Sequence, residues 1–166
     1  MSILLVVDPG LRGCGAALFF DGALTFAQYV RNPTREDRGP AAWRDMAEAV
    51  RLFAQGHLID TLVLEVPQVY TRGKGDPGDL IELAGVDGAI LGRLMPVQQY
   101  GYKPREWKGS VPKDIHHARV RKTLTEAERQ ILENSAPASL RHNVLDAIAL
   151  GKWWLAQQAK AQREVV

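Results

Sequence analysis

The chain opens on an apolar, β-branched-rich run, Ile3 to Val7, closed by Asp8. Such a run predicts a buried strand, and Pro9-Gly10 supplies the turn that ends it. Apolar residues resume from Cys14 to Phe20. Asp21-Gly22 has the composition of a hairpin turn, and Ala23 to Val30 predicts a third strand, so the three form an antiparallel meander. Asn32 to Pro40 is polar and carries two prolines, as a loop does. Over Ala41 to Gln55 the period changes: Trp43, Met46, Ala47, Val50 and Phe53-Ala54 recur at helical spacing, and Gly56 stops the helix. Thr61 to Leu64 predicts a short buried strand with Glu65 at its end, followed by a Gly- and Pro-rich loop, Val66 to Gly78. A second helix, Asp79 to Leu94, is apolar on one face and contains Gly85, Gly88 and Gly92. Pro96 to Tyr100 is a candidate fifth strand and Gly101 to Pro112 a basic loop. Lys113 to Leu124 reads as helical. Thr125 with Glu128 makes a capping box that restarts a helix, Ala136 to Ser139 interrupts it, and a last helix runs from about Leu140 to Ala161. The order β-β-β-α-β-α-β-α predicts an α/β fold, a mixed five-stranded sheet with helices on both faces.

Composition narrows the class. With 166 residues, 46% hydrophobic and 24% charged, the chain reads as one soluble globular domain spanning 1–166. No apolar run approaches the ~20 residues that span a bilayer. The N-terminus lacks a basic segment and a cleavage site, so it reads as a strand rather than a signal peptide. Cys14 is the single cysteine, which excludes an internal disulfide and a cysteine-based zinc site. His57, His116, His117 and His142 have no zinc-motif spacing. These features together predict a cytoplasmic protein without membrane contact or structural metal. The net charge of +2 is uninformative, but its distribution is not. From Gln99 to Lys122, seven basic residues stand against two acids, Glu106 and Asp114, a local net of +5.

Three acids stand out by position. Asp8 ends the first strand, Glu65 ends the fourth, and Asp146 interrupts the apolar stretch Val144 to Leu150. A carboxylate among such neighbours needs a cation, a donor or a cleft. Strand ends and a helix start can bring all three together. Clustered carboxylates repel unless a divalent cation neutralises them, and hard oxygen donors favour magnesium or manganese. Two such ions about 4 Å apart can activate water and stabilise the leaving oxygen of a phosphodiester. Each acid also has a plain structural reading: Asp8 as a turn residue, Glu65 as a surface acid, Asp146 as a partner of Arg141 or Lys152.

Three segments carry a family resemblance. Leu4-Leu5-Val6-Val7-Asp8-Pro9-Gly10, with the glycines that follow it, resembles the opening of the RuvC family of Holliday-junction resolvases, which have the RNase H-like fold. Leu62 to Tyr70 is similar to that family's second acidic strand, and Asp146-Ala147-Ile148-Ala149-Leu150 to the signature on its last helix. Length and motif order agree over nearly the whole chain. The resemblance implies a homodimeric, Mg2+-dependent endonuclease, with Mn2+ able to substitute and two ions per site. It would nick opposed strands of a four-way DNA junction, leaving 5′-phosphate and 3′-hydroxyl ends, in recombination and repair. The family's fourth active-site residue, an Asp or His three positions before the last Asp, is here Asn143, with His142 four before. Both share a helix face with Asp146. His142 is therefore the candidate to assist catalysis or contact the phosphate, and Asn143 a candidate neutral metal ligand; capping of the helix is the plain alternative for either.

DNA affinity rests on phosphate neutralisation. Lys103, Arg105, Lys108 and Lys113 are candidates in the basic stretch, with Trp107 interleaved, and Arg72 and Lys74 in the loop after Glu65. Trp107 reads equally as a core anchor. RuvC-like enzymes carry a base-stacking aromatic in that loop, and Tyr70 stands nearby, two residues late. Trp153-Trp154 reads as packing or a dimer surface, and the Gly-interrupted second helix as a candidate subunit interface. Other classes fit less well. An actin-like phosphotransferase needs two lobes and a second phosphate turn. A non-catalytic nucleic-acid-binding domain could lose the three acids freely. A nuclease of the same fold acting on other branched DNA or on RNA–DNA hybrids is hardly separated from a resolvase by sequence.

Overall fold

The computed structural model describes residues 1–34, 38–69 and 76–164. Its elements are β1 (Ile3–Asp8), β2 (Gly13–Phe20), β3 (Ala23–Arg31), α1 (Gly39–Phe53), β4 (Thr61–Glu65), α2 (Pro77–Leu94), β5 (Gln98–Tyr102), α3 (Pro104–Trp107), α4 (Lys113–Thr123), α5 (Glu126–Asn134) and α6 (Arg141–Glu164). One five-stranded sheet runs in the order β3-β2-β1-β4-β5. β1, β2 and β3 are antiparallel neighbours, whereas β4 lies parallel to β1 and β5 parallel to β4. The mixed α/β architecture expected from the sequence is the one observed.

Asp21 and Gly22 both take positive φ, 47° and 82°, the pairing a tight two-residue hairpin demands. The central strands are apolar throughout because both sheet faces are covered. On one face Leu5, Val7, Cys14, Ala16, Leu62 and Leu64 meet α1 and α2 through Met46, Val50, Val86 and Ile90. On the other, Leu4, Val6, Ala17, Phe19 and Val63 meet α6 through Val144, Ile148 and Trp154. Helix α6 is buried continuously from Val144 to Gly151 because α4 and α5 pack onto it from outside.

Several boundaries differ from expectation: α1 is shifted two residues towards the N-terminus, and α6 runs on to Glu164. Helix α2 starts two residues early, because Asp76 accepts the amide of Gly78 at 2.9 Å and Pro77 suits the first turn. β5 is displaced by two residues towards the C-terminus; it is an edge strand, exposed at four of five positions, so no apolar alternation marks it. The basic loop contains a short helix, α3. The glycines of α2 divide in use: a Cβ on Gly85 would collide with the Trp43 indole of α1, whereas Gly88 and Gly92 face open space. Among the described residues no helix is long and apolar enough to cross a membrane.

A carboxylate-rich candidate active site

Strand periodicity aims the first two acids. Side chains alternate faces, so Asp8 shares the face of Leu4 and Val6, and Glu65 that of Val63, the face covered by α6. The parallel register pairs Val7 with Leu64, so Asp8 and Glu65 end neighbouring strands at the same level. Asp146 arrives from above. Gly15 pairs with Asp8 across the β1–β2 ladder, and a Cβ there would collide with the backbone carbonyl of Asn143. The missing side chain lets the first turn of α6 rest on bare β2 backbone beside Asp8, which carries Asp146, one turn on, to the strand ends.

The three acids sense one another. Asp8 is held well above the usual carboxylate range, first by burial, then by the charges of Glu65 and Asp146, against the pull of Lys108 and Lys113. Burial also raises Glu65, and Lys108 and the Trp107 indole bring it only part of the way back. Glu65 accepts from Trp107 Nε1 at 2.9 Å and Lys108 Nζ at 3.0 Å. Burial works against the Lys108 ammonium, but Asp146, Glu65 and Asp8 outweigh it and hold its pKa above the ordinary lysine value. Asp146, 3% exposed, has His117 Nε2 at 2.9 Å from Oδ1 and Lys113 Nζ at 3.5 Å from Oδ2. Lys113 and His117 are one turn apart on α4, so a single helix face grips both oxygens. Asp8 has no hydrogen-bond or ion-pair partner among the described residues. Three carboxylates thus face two ammonium groups, and the site is short of positive charge.

His142 sits partly buried at the start of α6 and bonds no described residue. The histidine on Asp146 is His117, which sequence reasoning passed over; a His-His pair on a basic helix without buried residues gives no sign of which ring will face the site. Asn143 contributes its backbone to the Gly15 contact. Neither plain partner expected for Asp146 holds it: Arg141 goes to Glu133 and Lys152 to Glu128. Trp107 is 7% exposed and its indole N–H donates to Glu65, so of its two readings the structure shows the core anchor rather than an exposed DNA contact. Lys103 and Arg105 are exposed beside β5 and α3. Tyr70, Arg72 and Lys74 lie outside the described residues. Trp154 packs on Tyr100 and Trp153 on Tyr102, their ring centres 5.6 and 4.9 Å apart, which makes the pair a cover for β5.

The donor set suits a hard divalent cation: oxygen ligands only, two of them raised by burial and repulsion, one without a hydrogen-bond or ion-pair partner among the described residues. Among the described residues no three His, Cys, Asp or Glu side chains converge as a finished ligand set, since Lys108, Lys113 and His117 draw Glu65 and Asp146 towards themselves.

No protein-family model and no curated protein matches the sequence. Solved structures do match in fold. Thermus thermophilus RuvC in complex with a Holliday junction substrate aligns with a TM-score of 0.65 over 92% of each chain at 16% identity. The yeast mitochondrial Holliday junction resolvase Ydc2 aligns with a TM-score of 0.69 over 98% of this chain and 81% of its own, at 10% identity. A further Thermus thermophilus RuvC structure gives 0.56 at 17% identity over 91% of this chain and 92% of its own. The chain therefore has the RuvC-like, RNase H-type fold that its three segments suggested.

Proposed function

We propose that this protein is a divalent-metal-dependent endodeoxyribonuclease that resolves four-way DNA junctions by paired nicks. The observation that carries the reading is the delivery of Asp8, Glu65 and Asp146 from β1, β4 and α6 to one charge-deficient site beside a basic surface. The fold match to two Holliday-junction resolvases supports it.

In this reading Asp8, Glu65 and Asp146 hold Mg2+ or Mn2+. A divalent ion held there would offset the charge that builds on the phosphate oxygens and make a water more acidic. Trp107 fixes the orientation of Glu65, and His117 that of Asp146, as outer partners commonly do for metal-ligating carboxylates. Lys108 and Lys113, which now pair with Glu65 and Asp146, would be the ammonium groups nearest the scissile phosphate, with Lys103 and Arg105 extending the contact along the backbone. A homodimer would set two such sites on opposed strands of a quasi-symmetric junction, and the small, uncovered Gly88–Gly92 face of α2 is the surface we assign to it.

The test is a panel of a mobile four-way junction, a fork, a linear duplex and an RNA–DNA hybrid, each with and without Mg2+. Paired nicks on the junction alone, with metal alone, are expected. Preference for the fork or hybrid would keep the nuclease and replace the substrate; no cutting of any member would end the reading.

A further inference from the structure

A cavity of about 200 Å3 opens beside the strand ends, against Asp8 and Glu65. Leu80 and Leu83 of α2 and Pro104 give it apolar walls, and Gln68 also lines it. The loop carrying Gln68 continues the sheet: the Val66 amide donates to the Tyr102 carbonyl at 3.0 Å, beyond the last β4–β5 pair. The Gln68 amide oxygen is buried and has no hydrogen-bond partner among the described residues. Buried acceptors are rarely left so, and because Gln68 is one of the residues lining the cavity its amide is the group a ligand's N–H would meet on entering.

We propose that this cavity takes the nucleobase next to the scissile phosphate and that Gln68 reads its edge. The inference rests on the nuclease reading above and adds a source of sequence preference to it. Charge decides between the parts of a nucleotide. Asp8 and Glu65 repel a second phosphate from the cavity, whereas a base is neutral, has apolar faces for Leu80, Leu83 and Pro104, and brings N–H donors at its edge. A phosphate positioned for cleavage beside Lys108 and Lys113 has its own base within reach of the adjoining cavity. The Gln68 amide offers a donor and an acceptor side by side, the arrangement that pairs bidentately with a base edge.

The test is cleavage of a junction library randomised at the nucleotides flanking the cut, with products sequenced for the unmodified protein, Gln68→Ala and Gln68→Glu, each first shown to melt cooperatively. The unmodified protein is expected to prefer one base at one flanking position by about tenfold, the ordinary yield of one good bidentate contact. Gln68→Ala should flatten that position, cutting preferred junctions at the rate of the others. Gln68→Glu presents two acceptors, so it should shift the preference to guanine, whose N1–H and N2–H are adjacent donors. An identical profile in all three proteins, with cutting intact, would overturn the base pocket and leave the nuclease standing. Absence of cutting by the unmodified protein in Mg2+ or Mn2+ would remove the nuclease reading and the pocket with it.

Discussion

Two regions of this molecule keep carboxyl groups from water, and they do so by opposite means. At the strand ends Glu65 and Asp146 are met by Trp107, Lys108, Lys113 and His117, every contact at 3.5 Å or less. In α2, Asp87 is 7% exposed beside the core residues Val86 and Ile90, and its Oδ1 has no partner among the described residues. Burial alone pushes its pKa to about 7. A carboxyl group surrounded by cations and donors can exchange those partners for an incoming cation. One without them resolves the conflict by taking a proton. Asp8 stands between the two cases: it shares the charged site but has no partner of its own.

The comparison breaks most visibly at Asp8. Asp8→Asn should lower junction cleavage by about a thousandfold or more while junction binding stays within a few-fold, read by gel shift and single-turnover assay. Because the folded pKa of Asp8 is raised, its ionisation destabilises the metal-free fold as pH rises from about 4, the unfolded value. The Asn variant should therefore melt higher than the parent at pH 8 without metal. Normal cutting by this variant would remove Asp8 from the site.

Asp87 sharpens the contrast from the other side. With an unfolded pKa near 3.8 and a folded one of about 7, it binds a proton that the unfolded chain has lost. Stability should thus fall by roughly 4 kcal/mol between about pH 4 and pH 8, the span of a three-unit shift. Urea titrations of Asp87→Asn should lose this part of the pH dependence; an unaltered slope would mean that Asp87 is charged in the core. At His117 the expected effect is smaller. His117→Ala should weaken Mn2+ binding by about ten- to a hundredfold, read by the electron-spin-resonance signal of free Mn2+, with Gln restoring part of it. Equal affinity would reduce the Asp146 contact to packing. Smallest is Lys108→Ala, which should flatten the salt dependence of junction binding by about one unit of slope. An unchanged slope would confine Lys108 to its bond with Glu65.

Much of this was written in local pattern. The three acids were visible because each interrupts or ends an apolar run, and the Thr125–Glu128 capping box is formed as read, Thr125 accepting the Glu128 amide at 3.3 Å and Glu128 the Thr125 amide at 2.8 Å. What escaped is tertiary. His142 and Asp146 lie on one helix and looked like partners by spacing, yet His117 reaches Asp146 from another helix, whose polar sequence encodes no packing face. Trp107 reads equally as a DNA contact and a core anchor, and only the fold decides for the inward placement. β5 is polar because it is an edge, held by its ladder to β4 and by tryptophans more than fifty residues away.

Gly15 has a consequence for how such a scaffold can vary. The seat of α6 on the sheet is set by main-chain atoms, so the gauge between Asp146 and the strand acids does not depend on which side chains line the outer helices or loops. Substrate-facing residues are then free to drift, and a chain can change what it grips without retuning the spacing at which it cuts.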